Sequence, residues 1–136
     1  KKLTDMIDNQ CADELIIVTN PEMPALTDAL KAIKLAEEMK KPVRGVIVTR
    51  VNKDKIELGP EIVKEMLEIP IIGMIPEDIS VKKAIKDKGT VVHNHPKSKA
   101  SRAYKEIAAK ILGIEYDSRK DREKFFEKLK RFFKRS

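Results

Sequence analysis

Apolar residues along this chain follow two rhythms that alternate: short unbroken runs, and longer stretches spaced by threes and fours. The runs lie within Glu14 to Thr19, Val43 to Thr49 and Ile71 to Ile75. Each is too short for a helix and predicts a strand buried on both faces. Between the first two runs, Leu26, Ala29, Leu30, Ile33, Leu35, Ala36 and Met39 recur at helical spacing until Pro42. Between the second and third, Gly59 and Pro60 open a short helix carrying Ile62, Val63, Met66 and Leu67. Two strand-helix-strand crossovers predict a parallel sheet. The run Ile71 to Ile75, held between Pro70 and Pro76, is expected to be its central strand.

Past Pro76, Ser80 offers an N-cap to a helix lined by Val81, Ala84 and Ile85 and ended by Gly89. Thr90 to His95 reads as a brief extended segment. Ala100, Ala103, Tyr104, Ile107, Ala108, Ile111 and Leu112 then keep the spacing of a helix packed on a core, closed by Gly113. At the start, Lys1 to Gln10 reads as the end of a helix and Cys11 to Asp13 as a turn.

A different pattern ends the chain. All four phenylalanines fall in one short stretch, where Phe125, Phe126, Leu129, Phe132 and Phe133 form a narrow apolar stripe. Lys124, Lys128, Arg131 and their basic neighbours cover the other faces. This predicts an amphipathic helix, and the chain divides into an α/β part, 1–116, and a basic helix, 117–136. Ser118 to Ser136 carries nine basic and three acidic residues, so +6 of the net +7 charge sits there. A Phe face ringed by Lys and Arg suits the plane of an anionic bilayer better than docking on its own core.

Composition narrows the class further. With 136 residues, 41% hydrophobic and 38% charged, the chain is expected to be a globular domain with a real core. No apolar run approaches the roughly 20 residues of a membrane span. Cys11 is the sole cysteine, which excludes an intrachain disulfide and suits a reducing cytoplasm. Lys1 opens the sequence and the first methionine is Met6, so these residues are read as the later part of a longer protein.

Candidate chemistry gathers at the ends of the strands. Asn20 to Glu22, Thr49 to Asn52, and Pro76 to Asp78 each leave a strand at its carboxyl end, where open α/β sheets bind ligands. The glycines at 45, 59, 73, 89 and 113 are isolated, so no Gly-rich phosphate cradle is present. No catalytic pairing stands out. His93 and His95 lie two apart, which on an extended segment would put both rings on one face. No further Cys or His pair completes a ligand set, so no metal is expected.

Taken together, Ala12 to Glu22, Val48-Thr49-Arg50, Ile75-Pro76-Glu77-Asp78 with Ser80-Val81, and Lys97 to Tyr104 resemble the later half of the MinD-like deviant Walker A ATPases. That family also holds ParA and the nitrogenase iron protein. The resemblance runs from about Cys11 to the C-terminus. It implies that Pro76, Glu77 and Asp78 flank an adenine, with Thr49 and Arg50 across from them. It also implies that Asn20, Pro21, Glu22 and Asp28 lie toward a face used for ATP-dependent dimerisation and partner binding. Thr49 and Val51 depart from the asparagine and tyrosine common in relatives. The family's phosphate loop and magnesium-orienting aspartates belong upstream of these residues.

The expectation is therefore the C-terminal half of an α/β P-loop ATPase. It supplies the adenine side of the site, followed by a reversible anchor on the inner face of the membrane. ATP and Mg would be cofactors of the intact protein, without tight binding to this chain alone. Expected partners are an anionic membrane surface, a second copy in a homodimer and a regulatory protein. A ParA-like ATPase with a DNA-binding tail is one alternative, though the neutral body and clustered Phe argue against nucleic acid. A non-enzymatic module whose tail docks into a partner's groove is the other.

Overall fold

Three apolar runs become three strands of one sheet. The computed structural model describes residues 13–53 and 57–115, together with Arg131. β1 (Leu15–Thr19), β2 (Val43–Val51) and β3 (Ile71–Pro76) pair in the order β1-β2-β3, both pairs parallel. Parallel pairing needs a crossover, and the helices α1 (Met23–Glu38) and α2 (Pro60–Leu67) supply the two.

Among the described residues β2, not β3, is the central strand, and Met74 of β3 is 44% exposed. The expectation for β3 failed because an apolar run reports side-chain burial and carries no information on strand order. β3 also extends to Pro76, which pairs opposite Val51. A terminal proline needs no ladder N–H, and the next bond is made by Glu77 N donating to Val51 O at 2.9 Å.

Alternation along β2 shows that this strand is covered on both faces, whereas Val18 of β1, expected to be buried, is 61% exposed. Val46 and Val48 enter a cluster with Leu26, Ala29 and Ile33 of α1 and Val63 and Leu67 of α2. Ile47, between them, packs toward Ile75, Ala84, Val91, Ala100 and Ile107. That second cluster is built by α3 (Ile79–Lys86), α4 (Val91–Asn94) and α5 (Lys99–Leu112). A Cβ added to Gly73 would fall inside the Ile107 side chain, so glycine allows α5 to lie close on β3.

α5 stops at Gly113, as its sequence predicts, and starts at a cap that the sequence reading did not name. Ser98 Oγ accepts from Ser101 N at 3.2 Å, and Gly113 takes a left-handed φ of 68°. Thr90 to His95, expected to be extended, instead forms α4. The Thr90 hydroxyl accepts from His93 N at 3.3 Å and starts a single helical turn. Four residues are too few to show a period, so only the cap could have revealed this helix. His93 is exposed and His95 is half-buried at the helix end, so the proposed shared face for the two rings is not formed. Ser101 Oγ lies 2.6 Å from His95 O and 2.9 Å from Val91 O, tying α4 to α5.

No helix among the described residues is long and apolar enough to cross a membrane. The expected helices at Lys1 to Gln10 and 117–136 lie outside the described residues, Arg131 excepted, and that residue is exposed.

Candidate functional site

The three exit segments meet at the carboxyl edge of the sheet, held by their own side chains. Thr49 Oγ1 donates to Asn20 Oδ1 at 2.9 Å, joining the ends of β1 and β2. Asn52 Nδ2 donates to Glu77 Oε2 at 2.8 Å, joining the ends of β2 and β3. Asn52 N also donates to Glu57 Oε2 at 3.0 Å, and Leu58 N donates to Pro21 O at 3.4 Å. These contacts hold Glu57 against Asn52 and Leu58 against the β1 exit.

Arg50 sets the direction of these side chains. Its φ is 57°, and the β2–β3 pairing slips between Val48 and Val51, which marks a bulge. The other positive-φ residues that are not glycine, Lys40, Glu68 and Lys88, follow helix ends. Among the described residues, Arg50 alone has this conformation inside a strand. The bulge sends Thr49 toward β1 and Asn52 toward β3, while the Arg50 side chain is exposed.

Asp78, not Ser80, is the N-cap of α3: its Oδ1 accepts from Ser80 N at 2.9 Å. Its Oδ2 accepts from Ala100 N at 3.0 Å, in the first turn of α5. Burial by itself would raise this carboxyl's pKa. The amides of Ala100 and Ser80 and the hydroxyls of Ser80 and Ser98 outweigh burial and hold it below the ordinary value.

Two concavities flank these bonds. A cleft of about 630 Å³ has Val51, Met74 and Pro76 as its apolar lining and Asn52, Lys53, Glu77 and Lys99 as its polar lining. A shallower groove of about 420 Å³ between β1 and α1 is lined by Asn20, Asp28 and Thr49 beside apolar strand residues. Of the residues expected to flank a base, Pro76 and Glu77 line the cleft. Thr49 opens on the groove, and Arg50 and Asp78 line neither. Asn20 and Asp28 share the groove, Pro21 is buried, and Glu22 is exposed at the N-cap of α1.

Asn52, Lys53 and Lys99 line the cleft although the sequence assigned none of them a role there. Asn52 stood in a recognised exit loop and was legible as a turn former. Lys99 had no local signal, because only the docking of α5 brings it to the cleft. No group of three or more His, Cys, Asp or Glu suited to a metal occurs among the described residues. Phe125, Phe126, Leu129, Phe132, Phe133, Lys124 and Lys128 lie outside the described residues.

The family described as 4Fe-4S iron sulfur cluster binding proteins, NifH/frxC family, matches residues 4–128. A 4Fe-4S cluster takes four thiolates, and this chain carries only Cys11, so its residues do not fit that group. An uncharacterised ATP-binding protein of Methanocaldococcus jannaschii is 40% identical over 119 residues, 86% of this chain and 45% of the relative. The septum site-determining protein MinD of Buchnera aphidicola is 35% identical over 138 residues, 91% of this chain and 50% of the relative.

Among solved structures, MinD of Pyrococcus horikoshii complexed with Mg-ADP matches with a TM-score of 0.69 at 27% identity. The match covers 74% of this chain and 41% of that one. MinD in the MinC:MinD complex of Aquifex aeolicus matches with a TM-score of 0.70 at 30% identity, covering 80% and 46%. The chain spans about half the length of the curated relatives it matches. By its sequence and its parallel sheet flanked by helices, the chain belongs to the NifH/frxC family of P-loop proteins, with the MinD- and ParA-like ATPases, and corresponds to their C-terminal portion.

Proposed function

We propose that this chain forms the base-binding side of the ATP site in a MinD-like ATPase whose nucleotide state governs dimerisation and reversible attachment to a membrane surface. The observation that carries this reading is the cleft at the carboxyl ends of β2 and β3. Apolar side chains from Met74, Pro76 and Val51 suit the face of a heteroaromatic ring, and the Asn52–Glu77 pair suits its polar edge. These residues fit the base. With isolated glycines only, they do not fit the phosphates, so phosphate and Mg chemistry falls to residues outside this chain.

Within this division of labour, Pro76 and Glu77 contact the base directly. Arg50 acts through its backbone, and Asp78 holds the loop that carries them. Thr49, bonded to Asn20, connects the cleft strand to the groove holding Asn20 and Asp28. We assign that groove, with Pro21 and Glu22 beside it, to the dimer or partner face. The MinC-bound relative supports a partner role for the family. The segment 117–136 would act as the membrane anchor, through Phe125, Phe126, Leu129, Phe132 and Phe133 with their basic flanks.

Photolabelling with 8-azidoadenosine, followed by peptide mapping, tests the base-binding role. The expected adducts fall on the peptides holding Val51 to Lys53 or Met74 to Glu77 and are competed away by adenosine. Adducts confined to other peptides would refute the assignment.

A further inference from the structure

Lys99 occupies the first position of α5, where the helix macrodipole opposes a cation. No acidic residue lies in that first turn, and the nearby amides are taken by Ser98 and Asp78. Lys99 is exposed, and among the described residues its ammonium has no hydrogen-bond or ion-pair partner. A lysine set against its local electrostatics calls for a compensating role, and its side chain lines the cleft beside Met74, Pro76 and Glu77.

Its position is fixed from two directions. The α5 helix rests on β3 where Gly73 meets Ile107, and Asp78 Oδ2 holds the amide next along, at Ala100. The second cation of the cleft, Lys53, sits on the exit loop instead. Precision of placement distinguishes the two, because sites carried by helices hold their geometry more closely than sites on loops.

We infer that Lys99 is a specificity-determining residue of the cleft, its ammonium donating a hydrogen bond to a ring nitrogen of a bound purine. This rests on the base-binding role proposed above and deepens it. The ring lies on Met74 and Pro76, with its exocyclic amine toward Glu77. A carboxylate offers about four lone-pair sites, so the Glu77 carboxylate can serve a ligand while Asn52 orients it. A donor and an acceptor are thereby presented side by side, matching the adjacent amine and ring nitrogen of adenine.

Nucleosides test this without involving the phosphates. The full chain is titrated with adenosine, 1-deazaadenosine and 7-deazaadenosine while the amide NMR signals of Asn52, Lys53, Glu77 and Lys99 are followed. Adenosine is expected to shift these signals, and the analogue lacking the contacted nitrogen to bind about tenfold more weakly, as loss of one charge-assisted hydrogen bond implies. Lys99→Met should lose the same factor for adenosine and no longer distinguish it from that analogue. If Lys99→Met binds adenosine as the wild type does or still discriminates, or if both analogues match adenosine, the inference is overturned and the base cleft stands. If adenosine moves none of the four amides, the base-binding role falls, and the inference falls with it.

Discussion

A left-handed backbone at a residue with a Cβ costs on the order of 1 to 2 kcal/mol, and Arg50 adopts one at the end of the central strand. Because its side chain lines neither concavity, the conformation itself is what matters: it turns Thr49 and Asn52 toward different neighbours. Arg50→Gly keeps that geometry available and should leave stability within about 1 kcal/mol of the wild type, with adenosine binding retained. Arg50→Val should cost about 2 kcal/mol, since a β-branched residue tolerates positive φ poorly, and should weaken adenosine binding. Urea midpoints at unchanged m, with nucleoside titrations beside them, check both variants. Loss of binding in the glycine variant alone would mean that the guanidinium contacts the ligand. Nothing in the sequence announced this bend, because the residue that usually signals positive φ is glycine.

Between elements, Asp78 ties two helices with one carboxylate, serving the first turns of both α3 and α5. Its pKa is depressed on folding, so the unfolded chain binds the proton more tightly. The stabilisation is complete above about pH 4 and is lost as pH falls through the lower folded value. Asp78→Asn keeps one acceptor but must set an amide N–H2 or nothing against one of the two helix amides. It should lower stability by about 1 to 2 kcal/mol at neutral pH and flatten the acid limb. Thermal melts from pH 7 to pH 3 measure both effects, and an acid limb as steep as the wild type's would rule out the assignment. The contrast with Ser80 marks where legibility ended. Strand and helix identities were plain from the apolar runs and the three-to-four spacing. The Pro76-Glu77-Asp78-Ile79-Ser80 segment offered two capping residues, and only the tertiary reach to Ala100 selects Asp78. α4 was missed and β3 misplaced for kindred reasons: a single turn has no period, and burial does not specify order.

Across the whole molecule, charge and chemistry are segregated. Segment 118–136 carries +6 of the +7 charge, whereas the candidate site occupies one edge of a nearly neutral body. Basic residues near an anionic bilayer contribute about 1 kcal/mol each, screened by salt, so a single segment would hold weakly and a pair in a dimer would hold by avidity. Phe126→Glu or Phe133→Glu should abolish sedimentation of the chain with anionic liposomes. Unchanged sedimentation would remove the aromatic stripe from the anchoring role. Asn52, Lys53, Glu77 and Lys99 belong to neither apolar cluster, so the polar groups proposed to read the ligand lie outside the packed core. That separation bears on descent. Lineages built on this frame can exchange one recognised ring for another without passing through an unfolded ancestor. Divergence among them should therefore collect at the strand exits and the opening turn of the last described helix, while the paired strands change slowly.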